Sequence, residues 1–397
     1  MKRRLFFCAV LLISSLAQAK QVPTSVTDLL GRTVSVNLPV QRVILGEGRQ
    51  LYLVAMLDKE NPAQRVAAWR RDLIQSDPAT WQQYRKHFPE LEKIPTFGGS
   101  EQGTFDIEQA INLKPDVTIM NVDARNSLLD SGYESVLANA GIPIVYVDFR
   151  YDPIANLPPT IRLFGKLFGE TARAEAYLAF RDAELKRVES RVAGLPGPLP
   201  RVFLERLGGY SDECCMTFGK GSFGRYVTLA GGDNIAKNLA PGTFFTLNPE
   251  RIVSANPDVV VITSGNFDAF VPGGRWIPLG PGVDSQFSRR RLAWFTTRPA
   301  YANSTARRNG AFFAIWHQFY NSPYDAIAIQ QLAKWIHPEL FSDLDPDETF
   351  RRLHQQFLPV PYLPGYMVSL KEEVLHDTEF KPAANRHARM RAGDPLQ

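Results

Sequence analysis

Cysteine is scarce in this chain. There are three in 397 residues, and two of them, Cys214 and Cys215, are neighbours. No Cys-x-x-Cys pair occurs, so a redox centre is missing, and an iron–sulfur subunit wants more cluster-binding thiols than one adjacent pair supplies. The chain also lacks a Gly-x-Ser-x-Gly elbow and a His-Glu-x-x-His pair, which leaves hydrolase and zinc-protease readings without a centre. Beyond the first residues, no apolar run approaches the ~20 residues that span a bilayer. Nor is either charge in excess. The net charge is +4, but Lys2, Arg3 and Arg4 supply three of the positive groups; without residues 1–19, 42 cations face 41 anions. Nucleic-acid binders draw their affinity from neutralising phosphates, so this balance argues against that class. What remains, 44% hydrophobic and 22% charged residues, is globular composition, and the length points to two domains or lobes.

The amino terminus reads as an export signal. Met1–Arg4 is basic, Leu5–Leu16 is apolar, and Ala17-Gln18-Ala19 has the small-x-small form of a cleavage site, so the chain is expected to be exported and its mature form to begin near Lys20. Cys8 lies too early to be a lipid anchor. In an oxidising compartment Cys214 and Cys215 are either a vicinal disulfide or two small buried thiols.

An internal repeat is the clearest physical pattern. Asp106–Met120 (DIEQAINLKPDVTIM) has a partner in Asn248–Ile262 (NPERIVSANPDVVVI), and in each copy Glu sits seven residues before Pro-Asp-Val. An acid in the first turn favours a short helix, proline stops it, and the β-branched run makes a buried parallel strand. Arg42–Gly46, Ile142–Val147 and Arg201–Glu205 read as further strands, the first and last opening two similar α/β lobes. Between them, Ile154 to Val192 has helical periodicity interrupted at Gly169; the segment from Thr171 would be ~33 Å long and could bridge the lobes as one rod. The predicted division is therefore a signal peptide over 1–19, an amino-terminal lobe over 20–152, a helical linker over 153–194, a second lobe over 195–370 and a polar tail over 371–397.

Several of these segments, taken in order, carry a resemblance. Val26-Thr27-Asp28-Leu29-Leu30-Gly31-Arg32-Thr33-Val34 with Pro39 and Arg42-Val43-Ile44, then Glu108…Leu113-Lys114-Pro115-Asp116, Gly221-Ser222-Phe223…Gly231-Gly232-Asp233-Asn234, and Leu332-Ala333-Lys334-Trp335-Ile336-His337-Pro338 resemble periplasmic solute-binding proteins of iron-siderophore, haem and cobalamin ABC importers. The resemblance spans roughly residues 24 to 342. It implies an α/β fold of two Rossmann-like lobes with mainly parallel sheets joined by a single long α-helix, a ligand held in the interlobe cleft, no catalysis and no resident cofactor or metal. It also implies a monomer that delivers its solute to an inner-membrane permease, with Glu108 and Asp233 as docking acids; Asp233 stands where the motif usually has Glu.

Strand-end loops are where open α/β sheets bind ligands. On that basis the ligand-contact candidates are Arg49, Arg70, Arg125, Arg206 and Arg225, whose guanidinium forks suit oxygen-rich anions, and Phe97, Tyr210, Phe267, Trp316 and Tyr320 as flat walls. Each has a plainer reading: a solvated or locally paired arginine, or, for Trp316 and Tyr320, one helix face packing inward. His317 is either structural or a metal ligand. Gly219-Lys220-Gly221-Ser222-Phe223-Gly224 matches a dinucleotide fingerprint, but no acid follows about 20 residues on in a suitable context, so Ser222 reads as a helix cap. The arginines favour an anionic ferric-siderophore chelate, with haem, cobalamin, a molybdate-type oxyanion, or a ligand-presenting sensor role as the alternatives.

Overall fold

A computed structural model describes residues 20–100 and 103–370. The expected signal peptide and polar tail lie outside the described residues. The chain divides into two units, the first comprising residues up to Ala193 together with Gln318–Gln331 and Asp343–Leu363, the second Gly194–His317, Leu332–Ser342 and the stretch from Pro364. The single continuous second lobe expected over 195–370 is thus interrupted, because two stretches of it pack with the first unit.

The first unit opens with a hairpin of β1 (Val22–Thr27) and β2 (Thr33–Leu38), paired antiparallel from Val22↔Leu38 to Thr27↔Thr33. At its turn, buried Asp28 accepts the Leu30 and Arg32 amides, each at 3.0 Å. Five strands follow: β3 (Val43–Leu45), β4 (Val66–Arg70), β5 (Thr96–Phe97), β6 (Val117–Asn121) and β7 (Ile144–Val147). They form one parallel sheet in the order β5-β4-β3-β6-β7. β7 is an edge, and the hairpin turn covers it: Leu29 donates to Tyr146 O at 3.0 Å and Arg32 to Ile144 O at 2.8 Å. The chain runs outward from β3 and returns on its other side at β6, so a topological switch point lies between their carboxyl ends.

The second unit holds β8 (Arg201–Glu205), β9 (Met216–Phe218), β10 (Asp233–Asn234), β11 (Phe244–Thr246), β12 (Val259–Ser264), β13 (Phe312–Trp316) and β14 (Met367–Ser369). The central pairs β10-β8, β8-β12 and β12-β13 are parallel, while β9, β11 and β14 add antiparallel edges.

The repeat is structural down to its hydrogen bonds. Asp106 and Asn248 cap the helices Ile107–Asn112 and Pro249–Ala255, and Lys114 and Asn256, each just before the proline, take φ of +47° and +43°. Asp116 then accepts the Arg42 amide and Asp258 the Arg201 amide, both at 2.9 Å. Arg42 and Arg201 in turn donate to the corresponding helix-end carbonyls, Leu113 O at 2.9 Å and Ala255 O at 2.7 Å. Each copy therefore pins its strand beside the strand that opens its unit, Val117 against Val43 and Val259 against Val202.

Residues 153–192 form two helices, Pro153–Phe168 and Thr171–Val192, separated where Gly169 takes φ +78°. The expected rod is the helix Thr171–Val192; it is anchored in the first unit and ends just before Gly194, where the second unit begins. Arg181 grips Asp325 through Nε at 2.9 Å and Nη2 at 2.6 Å, with both side chains almost wholly buried, and Glu184 accepts from Gln330 and Arg352. Nearby, His354 in the helix Pro346–Phe357 is enclosed by Phe350, Tyr324 and Tyr362 and bonds the Val360 carbonyl through Nδ1 at 3.0 Å. Burial pushes this imidazole down to about 4. A depressed folded value gives stability that is full above the unfolded value of about 6.5 and falls away as pH drops from there toward 4, here by about 3 kcal/mol. Urea unfolding followed from pH 7 to 4 should show this component, and His354→Gln should remove it; an unchanged acid slope in that variant would refute the assignment.

Candidate functional site

Polar side chains converge at the switch point of the first unit. The loop Gly46–Gln50 leaves β3 so close to β4 that a Cβ on Gly48 would lie 2.2 Å from Arg70 O, so only glycine fits there. That approach turns Glu47 inward, where it is 3% exposed. Its carboxylate pairs with Arg49 and accepts from the Asn121 amide at the end of β6 and from Asn321 Nδ2 at 2.5 Å. Burial pushes Glu47 up, but Arg49, Arg150 and the Asn321 amide outweigh it and hold the carboxyl below its usual range.

Arg49 is held from several sides. Nε donates to Asp72 at 2.9 Å, and Nη1 to Tyr320 Oη at 2.9 Å and Gln318 Oε1 at 3.2 Å. Asp72 also accepts the Gly48 amide at 2.6 Å, and its carboxyl is pushed up by burial despite Arg49. Arg150, following β7, donates to Asp123 at 3.2 Å; its Cζ lies 5.8 Å from the Tyr320 ring centroid, and 23% of its side chain is exposed. The Tyr320 phenol, against burial and with help from Glu47, holds it above its ordinary value. Arg70 acts on the same carboxylates, lowering both Glu47 and Asp72.

In the second unit, the corresponding strand ends build an aromatic surface. Arg206 follows β8 with its Cζ 4.6 Å from the Phe244 ring centroid. Tyr210 is 37% exposed and lies edge-on to Phe267 at 5.8 Å and tilted against Phe270 at 6.2 Å. Phe267 is buried edge-on to His317, whose Nδ1 meets the Thr263 hydroxyl at 2.9 Å. Beneath this surface, Glu205 bonds Arg298 at 2.5 Å and Tyr301. Cys214 and Cys215 form a disulfide, Cys214 Sγ lying 3.5 Å from Tyr301 Oη.

The structure thus brings Arg49, Arg70 and Tyr320 together in one unit and Arg206, Tyr210 and Phe267 in the other. Other candidates lie elsewhere. Phe97 is in the core, edge-on to Phe105 at 4.7 Å, rather than forming a wall. Arg125 begins a helix on the side of Tyr146, and Arg225 is exposed on the helix Phe223–Leu229. Trp316 ends β13, buried edge-on to Tyr366 at 5.2 Å, so it shares no helix face with Tyr320. Ser222 occupies the cap position but makes no capping bond, and a Cβ on Gly224 would lie 1.8 Å from Gly219 O; the glycine pattern serves close packing. Of the two docking candidates, Glu108 is exposed in the first turn of its helix, whereas Asp233 is already paired with Lys237. Glu47, Asp72, Arg150 and Asn321 were not singled out from the sequence, although Glu47 and Asp72 sit in loops that strand-end reasoning marks.

Comparison with known proteins agrees with this architecture. Residues 65–318 match the family described as periplasmic binding protein. The molybdate-binding protein MolA of Haemophilus influenzae is 22% identical over 373 residues, 89% of this chain and 96% of that protein. The crystal structure of the TroA-like periplasmic binding protein FepB from Veillonella parvula superposes with a TM-score of 0.79 at 29% identity, covering 88% of this chain and all of that one. A periplasmic heme binding protein from Pseudomonas aeruginosa shares the fold at 18% identity and a TM-score of 0.53, over 76% of this chain and 94% of that one.

Proposed function

Since the chain belongs to the periplasmic binding protein family, we propose that it is the solute-binding component of an ABC importer, capturing an anionic metal chelate of the ferric-siderophore type. The observation that carries the reading is the gathering of three guanidiniums, Arg49, Arg70 and Arg150, with Tyr320 at the first unit's switch point. Their roles differ. Arg49 is neutralised by Glu47 and Asp72 and acts as a positioning residue; Arg150, bonded to one carboxylate and still partly exposed, keeps N–H groups for oxygen atoms of a ligand. On the second unit the chain after β8 carries Arg206, against the Phe244 ring, and Tyr210, against Phe267, a cation and flat rings of the kinds that suit a large chelate. The molybdate-binding relative supports a second reading, a tetrahedral oxyanion held by the same arginines.

Titrating intrinsic tryptophan fluorescence with ferric chelates, haem, cobalamin and molybdate separates these readings. The chelate reading predicts a saturable change with a ferric chelate. A response to molybdate alone supports the second reading, and a flat signal across the panel removes both.

Delivery to a permease is proposed to use Glu108, with a lesser part for Asp233 because Lys237 already occupies it. Glu108→Arg is then expected to lower solute uptake by cells about tenfold through like-charge contact while leaving solute binding by the purified protein unchanged. Normal uptake by that variant would count against the assignment.

A further inference from the structure

The run Arg289-Arg290-Arg291 plays no part in the solute reading, and its surroundings differ from those of the carboxylate-paired arginines. Arg32, Arg65, Arg181, Arg201 and Arg298 are each held by a carboxylate. Arg275, Arg290 and Arg291 make no ion pair among the described residues. They rest on aromatic rings instead: Arg275 lies 4.5 Å from the Trp294 centroid, and Arg290 and Arg291 lie 5.8 and 5.3 Å from that of Phe287. The helix Ser285–Phe295 explains the grouping. It buries Ser288, Leu292 and Phe295, while Phe287, Arg290, Arg291 and Trp294 fall at i, i+3, i+4 and i+7 along one flank, with Phe287 38% exposed. Arg289 leaves this flank and donates to Ser369 O at 3.1 Å. Asp284, the acid at the start of the helix, is occupied in capping the Gln286 amide at 2.9 Å.

We propose that this flank, Phe287, Arg290, Arg291 and Trp294 with neighbouring Arg275, is a docking surface for the anionic phospholipid headgroups of a membrane. Charge complementarity is the argument. Three guanidiniums without a carboxylate, Arg290 and Arg291 on the helix flank and Arg275 beside it, lie along a surface rather than in a pocket, with Arg291 donating to Gly274 O at 3.3 Å, so they match an extended layer of phosphates and not a single small ion. Of the rings beneath them, the Trp294 indole is an amphipathic body of the kind that settles at a headgroup boundary, and Phe287 adds an apolar one. The surface goes beyond the solute reading and does not depend on it.

Co-sedimentation of the ligand-free protein with vesicles tests the proposal. Binding to phosphatidylcholine vesicles containing about 30% phosphatidylglycerol should exceed binding to pure phosphatidylcholine by roughly 100-fold, about fivefold per arginine, and should be lost in about 0.5 M salt. Arg290→Glu/Arg291→Glu should abolish the difference, whereas Arg290→Lys/Arg291→Lys should retain it. Equal pelleting with both lipids, or binding indifferent to charge reversal, would overturn the proposal. So would retention on the permease in neutral-lipid nanodiscs that charge reversal alone removes, which would assign the flank to a protein partner.

Discussion

Arg49→Met is expected to destabilise the first unit by about 3–5 kcal/mol, because it leaves Glu47 and Asp72 buried without their shared cation. The pH dependence distinguishes this cause from simple loss of packing. In the native protein Glu47 lies below its usual value, so it contributes stability above the unfolded carboxyl value of about 4.3, lost as pH falls through the folded one. Without Arg49 both carboxyls move up, and protonation relieves the burial of their charges. The gap between variant and native protein should therefore narrow as pH is lowered from 7.5 to 5. Urea unfolding at the two pH values reads this directly; an equal deficit at both would show that the guanidinium serves packing alone. Solute binding should fall as well, since Tyr320 and Gln318 lose the group that orients them.

Arg181→Met is expected to have a similar cost through a different mechanism. The Arg181 fork and Asp325 are almost wholly buried between the helix Thr171–Val192 and the segment Gln318–Gln331, so removing one partner strands a charge and costs about 3–5 kcal/mol. The double variant Arg181→Met/Asp325→Leu should recover most of that loss, because an apolar pair of similar volume can replace a buried ion pair. Thermal unfolding of the three variants decides it. A double variant no more stable than the single one would mean that the pair holds the two segments in register beyond its own charge balance.

The two α/β cores were legible because a local pattern specified each step. Pro115 and Pro257 stop equivalent helices, and Val117 and Val259 enter equivalent strands, with the aspartates between them closing the same hydrogen bonds. The strand-end loops followed from the same pattern. What the sequence did not disclose is pairing over distance. Arg49 reads as a free fork until Asp72 and Glu47 close on it, and Glu47 finds Asn321 274 residues along the chain. The return of Gln318–Gln331 and Asp343–Leu363 to the first unit carries no composition shift, because both interiors select the same apolar residues. Phe97 misled for a related reason: a phenylalanine at the end of a strand reads alike whether its ring meets a ligand or Phe105.

Calorimetric titration with the strongest fluorescence responder, for the native protein and for Arg150→Ala, bears most directly on the claim that the chain holds an anionic solute at its strand-end loops. One solute per chain, with affinity at least about tenfold weaker in Arg150→Ala, is the predicted result, in keeping with the loss of a charge-assisted hydrogen bond. The same affinity in both proteins, or no heat from any solute in the panel, would contradict it.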